Sequence, residues 1–224
     1  MYFLTKKYLN IHGIIWLLFF ALSLLFILEP QLDIYVTNLF YDGSSFPLDK
    51  TLFERIFYHS VRVMTAFMIL YYLLSLIYYT FTKKTFFSIS KKVLLYIFLV
   101  YSIAPGLIVN SLLKENWGRA RPAEIVQFGG TREFTPAFIL SNQKGNSFSS
   151  GHVASAFSVL GFVLLAKRRK KLYMSLALSY GVAVSFARII AGGHFLSDAL
   201  TSFFLVWIFS HIFYKLIFKK ESTL

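Results

Sequence analysis

His194 and Asp198 stand four residues apart, so on a helix they stack on one face. A carboxylate bonded to one imidazole nitrogen fixes the tautomer and makes the other nitrogen a better nucleophile or base. Asp198 is the only acid between Glu133 and Glu221. A lone carboxylate in an apolar segment is costly and calls for a partner. Arg188 lies six residues before His194, across Gly192-Gly193, which permit a sharp turn that brings guanidinium beside imidazole. Ser150-Gly151-His152 opens another apolar segment. N–H groups at a helix start make an anion site, Ser150 adds a hydroxyl donor, and His152 can pass a proton to a departing alkoxide. Lys114 offers a point charge, and Arg121, before Pro122, a planar fork that grips two phosphate oxygens. The chemistry common to these groups is holding and attacking a phosphate.

Each piece also has a structural reading. His194 and Asp198 can cap a helix, and Ser150 can serve as an ordinary N-cap. Arg188 can snorkel to headgroups, and a basic loop beside a membrane is often no more than that. Arg119 is either a headgroup contact or another surface cation. Arg132, Lys144, Arg55 and Arg62 are candidates for a second phosphate or a sugar, with anionic-lipid contact as the plainer alternative. The joint occurrence of the clusters, and not any one of them, carries the phosphate reading.

The elements that must position these residues are membrane helices. The chain of 224 residues is 57% hydrophobic and only 15% charged, with a mean hydropathy of +0.62. Its apolar residues fall into runs near the roughly 20 that a spanning helix needs. The expected fold is all-α: a polytopic membrane bundle of about six spans in one domain, 1–224. The spans fall at residues 14–28, 61–81, 93–113, 152–166, 172–190 and 195–214. The first run lacks a small-residue cleavage site and reads as a retained helix. Leu52, Phe53, Ile56 and Phe57 share a helical face, which predicts a short interfacial helix in the first outer loop.

Fourteen of the 23 Lys and Arg sit in clusters around Lys6-Lys7, Lys83-Lys84 with Lys91-Lys92, 167–171, and Lys215 with Lys219-Lys220. Such clusters mark the cytoplasmic side, which places both termini there. The net charge of +13 thus punctuates spans and forms no nucleic-acid stripe. The other nine basic residues, Lys114, Arg121 and Arg188 among them, fall in or near the outer loops 29–60, 114–151 and 191–194. An anionic ligand would explain cations on the side that normally avoids them. With no cysteine, thiol and Cys-zinc chemistry are excluded. A transporter would carry polar groups at mid-membrane depth in several spans, and the first, second and fifth offer almost none.

Lys114-x6-Arg121-Pro122, Ser150-Gly151-His152 and Arg188-x5-His194-x3-Asp198 together resemble the three-part signature of the type 2 phosphatidic acid phosphatase superfamily. Two positions depart from the family pattern: Ser149 stands for a usual Pro, and Ala187 for a usual Ser. The resemblance implies a helical bundle and a phosphohistidine on His194, which Asp198 orients. It implies that His152 protonates the leaving oxygen and then activates water. Lys114, Arg121, Arg188, Ser150 and the Gly151 N–H would hold the phosphate oxygens. No metal or other cofactor is implied, nor any obligate protein partner. The expected partners are the bilayer and a phosphorylated lipid. The stretch 114–122, with Phe128-Gly129-Gly130, looks most like bacterial lipid A phosphatases acting on the 1- or 4′-phosphate at the periplasmic face of the inner membrane. Phosphatidylglycerophosphate, undecaprenyl pyrophosphate and phosphotransfer to another lipid are the alternatives.

Overall fold

A computed structural model describes residues 5–84 and 89–218. Lys219 and Lys220, counted above in the last basic cluster, lie outside them. A small hairpin comes first, β1 (Lys7–Tyr8) against β2 (Ile11–His12). Leu9 and Asn10 form its two-residue turn, both at positive φ as such tight turns require. Helix α1 (Gly13–Leu28) follows and breaks at Glu29-Pro30, where the chain bends by 87° into α2 (Gln31–Asn38).

Helix α3 (Leu52–Thr82) is capped at its start by Thr51 and ends on a left-handed Lys83. Its 31 residues make about 46 Å of helix, well beyond a hydrocarbon core of about 30 Å. The surplus turns carry Glu54 and Tyr58. Helix α4 runs from Lys91 to Lys114, and its second half, Ser102–Lys114, is wound as a π-helix. Pro105 sits inside that half. Lacking an N–H and crowding the preceding turn, proline disturbs the regular ladder. The Pro105 carbonyl accepts from the Asn110 side-chain amide at 2.6 Å.

Helix α5 (Gly151–Val163) packs against α6 (Lys170–Ile190) and α7 (Leu196–Phe218). Ten of its thirteen residues are buried, so it is the axis of the bundle. Ala154, Phe157 and Leu160 meet Val184, Ala199 and Val206 there. Small residues set the spacing: a Cβ on Gly181 would fall 2.2 Å from the Phe157 ring. The outward faces of α1 and α3 expose Leu17, Phe20, Val63, Phe67 and Leu70, as helices facing lipid do.

Two expectations change. Among the described residues, four helices are long and apolar enough to cross a membrane, or five if the bent pair α1–α2 is one broken span. Helix α5 is apolar but too short to qualify alone, because Gly151 and Val163 bound it at 13 residues. The helix expected to lie in the interface is instead the first turns of α3, which has no breaker between Leu52 and Thr82. The short helix of the first outer loop is α2.

The second outer loop is not structureless. It makes single turns at Pro122–Glu124 and Val126–Phe128 and isolated bridges between Gly118 and Gly145 and between Ile125 and Arg132. Trp117 and Phe138 pack on Phe148, and Phe134 on Phe195, which ties the loop to the mouth of the bundle.

Candidate active site

The turn from α6 to α7 is closed by Gly193 N–H and His194 N–H, both donating to the Arg188 carbonyl, and Gly192 takes a φ of +64°. A Cβ on Gly193 would lie 2.2 Å from Arg188 Nη2. Glycine here leaves room for the guanidinium to fold back beside the turn that carries the imidazole. The Gly192 carbonyl accepts from Ala123 N–H at 3.0 Å, which brings in the segment after Arg121-Pro122.

His194 is 2% exposed. Its Nδ1 lies 2.8 Å from the Ser147 carbonyl, which can only accept, so Nδ1 carries the proton and Nε2 is bare. The Asp198 carboxylate is 3.6 Å from Nδ1, beyond hydrogen-bond distance. This corrects the expected direct bond. The backbone of Ser147 orients the ring, and Asp198 acts at one remove by accepting from Ser147 Oγ at 2.5 Å. Asp198 also accepts from Phe195 N–H, capping the start of α7.

Behind this pair lies an ion cluster with no side-chain exposure. Arg119 donates to Asp198 at 2.6 Å, to Asp33 at 2.8 Å, to Ser197 Oγ and to the Thr135 carbonyl. Asp33 further accepts from Ser197 N–H and Oγ. Arg119 is therefore neither a headgroup contact nor a surface cation. Its guanidinium is fully buried and committed to protein acceptors.

Burial pushes the His194 imidazole down to about 4, against the opposing pull of Asp198, with Arg188 and Arg121 adding to the depression. Burial thus favours the neutral ring at neutral pH, the form in which an imidazole nitrogen has a lone pair to offer.

Lys114, Arg121 and Arg188 share one electrostatic neighbourhood: Lys114 feels both guanidinium groups, and His194 feels them too. His152 feels Arg188, His194, Lys114 and Arg62. Arg188 pairs with Glu54 at 2.9 Å. The Nε atoms of Arg121 and Arg188 are buried and have no acceptor. Two unmatched guanidinium donors beside a bare imidazole nitrogen are complementary to an anion. Ser150 caps α5, its Oγ accepting from Val153 N–H at 3.4 Å, so its own proton is free to donate. Gly151 meets Asn110, whose Oδ1 would lie 2.2 Å from a Cβ there. A cavity of about 390 Å³ runs beside Lys114 and His152, walled by Arg62, Thr65, Asn110 and Ser155.

The structure thus gathers Lys114, Arg121, Ser150, Gly151, His152, Arg188, His194 and Asp198. Arg132, 36% exposed, pairs with Glu124, which also accepts from the Arg121 N–H. Lys144 is exposed on a left-handed turn. Sequence reasoning missed Asp33, Glu54, Tyr58 and Ser147. Glu54 was within reach, since the argument that singled out Asp198 applies to any acid in an apolar helix. Tyr58 is one of 14 tyrosines and carried no signal.

Residues 95–222 match the PAP2 superfamily. The lipid A 4′-phosphatase of Francisella tularensis subsp. novicida (strain U112) is 33% identical over 211 residues, covering 91% of this chain and 94% of its own. The lipid A 4′-phosphatase of Rhizobium leguminosarum is 38% identical over 109 residues, 44% of this chain and 43% of its own. That of Rhizobium etli is 39% identical over 101 residues, 43% and 38% of the two chains. No solved structure matches.

Arg119→Met leaves two carboxylates buried without their cation and should destabilise the fold by about 3–5 kcal/mol. Thermal unfolding in detergent reads this, and a wild-type melt would contradict the cluster's role. The His194 imidazole should titrate near pH 4 in a histidine NMR titration. An unfolded histidine titrates at about 6.5, so the neutral ring's contribution to stability is lost as pH falls from there toward 4. A His194 midpoint between about 6 and 7 would contradict its burial as a neutral ring.

Proposed function

Because the chain belongs to the PAP2 superfamily, we propose that it is a lipid phosphatase that removes the 4′-phosphate of lipid A by way of a phosphohistidine. The observation that carries the reading is the bare Nε2 of a neutral His194 set among cations whose buried donors lack acceptors. The choice of lipid A rests on the relatives, above all the one aligned over 91% of this chain.

In this reading His194 Nε2 attacks phosphorus. Asp198 steadies the charge that develops on the ring, at 3.6 Å and through Ser147. His152 protonates the departing sugar oxygen and then takes a proton from the water that releases phosphate. Lys114, Arg121, Arg188, Ser150 Oγ–H and the Gly151 N–H hold the equatorial oxygens, and their charge does the work that metal ions do in many phosphatases. The two family departures, Ser149 and Ala187, are both buried and directly precede Ser150 and Arg188 in the chain.

Sidedness follows from which ends of the helices meet. The site joins the start of α3, the end of α4, the start of α5 and the α6–α7 turn. Lys83, Lys91-Lys92, the 167–171 run and Lys215 sit at the opposite helix ends. Cytoplasmic basic clusters therefore support a site on the periplasmic face of the inner membrane, with both termini inside.

Mass spectrometry of lipid A from cells expressing the wild type or His194→Ala tests the proposal. The wild type should yield lipid A lacking its 4′-phosphate, and the variant should lose activity by about 10⁴-fold or more while still inserting. Unchanged lipid A with phosphate lost from phosphatidylglycerophosphate or undecaprenyl pyrophosphate would move the substrate. Full turnover by the variant would remove the mechanism.

A further inference from the structure

Glu54, Tyr58 and Arg62 recur every four residues on α3 and share one face. They lie outside residues 95–222, the part matched to the superfamily, and no motif gives them a role. Glu54, 5% exposed, accepts from Arg188 Nη1 at 2.9 Å. One turn on, the Tyr58 ring stacks on the His152 imidazole, with centroids 4.4 Å apart and planes 18° apart. Arg188 Cζ lies 4.8 Å and Arg62 Cζ 4.4 Å from the centroid of the same tyrosine ring, and Arg62 Nη2 donates to the Tyr58 hydroxyl at 2.5 Å.

The two site histidines are held in different ways. His194 is fixed by a hydrogen bond to the Ser147 carbonyl. Among the described residues no hydrogen bond holds either ring nitrogen of His152; its one aromatic contact is Tyr58. An imidazole that must give up a proton and later take one needs its nitrogens free, yet its plane still has to be set. Stacking does that without occupying a nitrogen. The negative face of a phenol ring also tolerates a cation, which suits an imidazole that carries an extra proton in one half of the reaction.

We propose that Tyr58 is the positioning residue for His152, and that the Glu54–Arg188 ion pair registers α3 so that its ring meets the imidazole. The inference rests on His152 acting as the general acid. As the His194 Nε2–P bond forms, the bond from phosphorus to the sugar oxygen breaks. The electron pair goes to that oxygen, which takes the His152 proton. In the second half water bonds to phosphorus, loses its proton to His152, and the N–P electron pair returns to His194. Misaligning His152 harms the first step only where the leaving oxygen needs that proton.

Leaving-group dependence separates positioning from general structural damage. With the full-length enzyme in detergent, kcat/KM is measured on bisphosphorylated lipid A and on p-nitrophenyl phosphate, whose leaving phenolate needs little protonation. Tyr58→Leu and Tyr58→Met should each lose about tenfold or more on lipid A and less than about threefold on the aryl ester. Tyr58→Phe, which keeps the ring, should stay within about twofold on both. Adding Tyr58→Leu to His152→Ala should cost nothing further on lipid A. Equal losses on the two substrates, or no loss, would overturn the inference if His152→Ala itself is selective for lipid A. A His152→Ala variant that loses equally on both would remove the acid assignment, and this inference with it. Either Tyr58 variant that folds is sufficient for the comparison.

Discussion

Arg119 lies between Asp33 and Asp198 with no exposed surface on any of the three side chains, at 2.8 and 2.6 Å. Burying such charges is costly, and the cost is offset only when every donor and acceptor is matched. Here Ser197, Ser147, the Thr135 carbonyl and the Phe195 N–H complete the set. The cluster joins α2, the second outer loop and the start of α7, three segments far apart in sequence. Ser147 belongs to both systems: its hydroxyl binds Asp198 and its carbonyl binds His194. The position of the His194 ring thus depends on an ion cluster with no exposed side-chain surface.

Around that anchor the bundle brings charges together by removing atoms. Gly193 lets Arg188 fold over the turn, and Gly151 lets α5 close on Asn110. Pro105 sits within the wide winding that ends α4 with Lys114 at the cluster. Each device is local, and each delivers one cation or one N–H to the same place. The result is a site with fixed positive charge and a neutral buried imidazole, the electrostatic form suited to an incoming phosphate.

Much of this was legible in the chain. Apolar runs located the helices, and the spacing of Arg188, His194 and Asp198 across two glycines foretold a turn that gathers them. What failed to show depends on contacts that sequence distance hides. Arg119 sits in a basic loop and read as a surface cation, because Asp33 and Asp198 are 86 and 79 residues away. The His194–Asp198 spacing suggested a direct bond, whereas the acceptor is a backbone carbonyl 47 residues earlier, and a carbonyl leaves no trace in residue type. The aromatic start of α3 resembled an interfacial helix, since amphipathic turns at a membrane boundary look alike whether or not the helix continues. Its inward face, with Glu54 and Tyr58, emerges only when α3 is set against α5 and α6.

The central claim is that His194 carries the phosphoryl group. A His152→Ala variant given p-nitrophenyl phosphate, whose leaving phenolate needs little protonation, is slowed mainly in the water-activating step and should accumulate the intermediate. Denaturing alkaline quench after mixing with that ester, followed by peptide mass spectrometry, should find a phosphoramidate on the peptide that contains His194, absent from His194→Ala. Phosphate on another residue, or turnover through His152→Ala with no modified His194 peptide at any time point, would contradict the account.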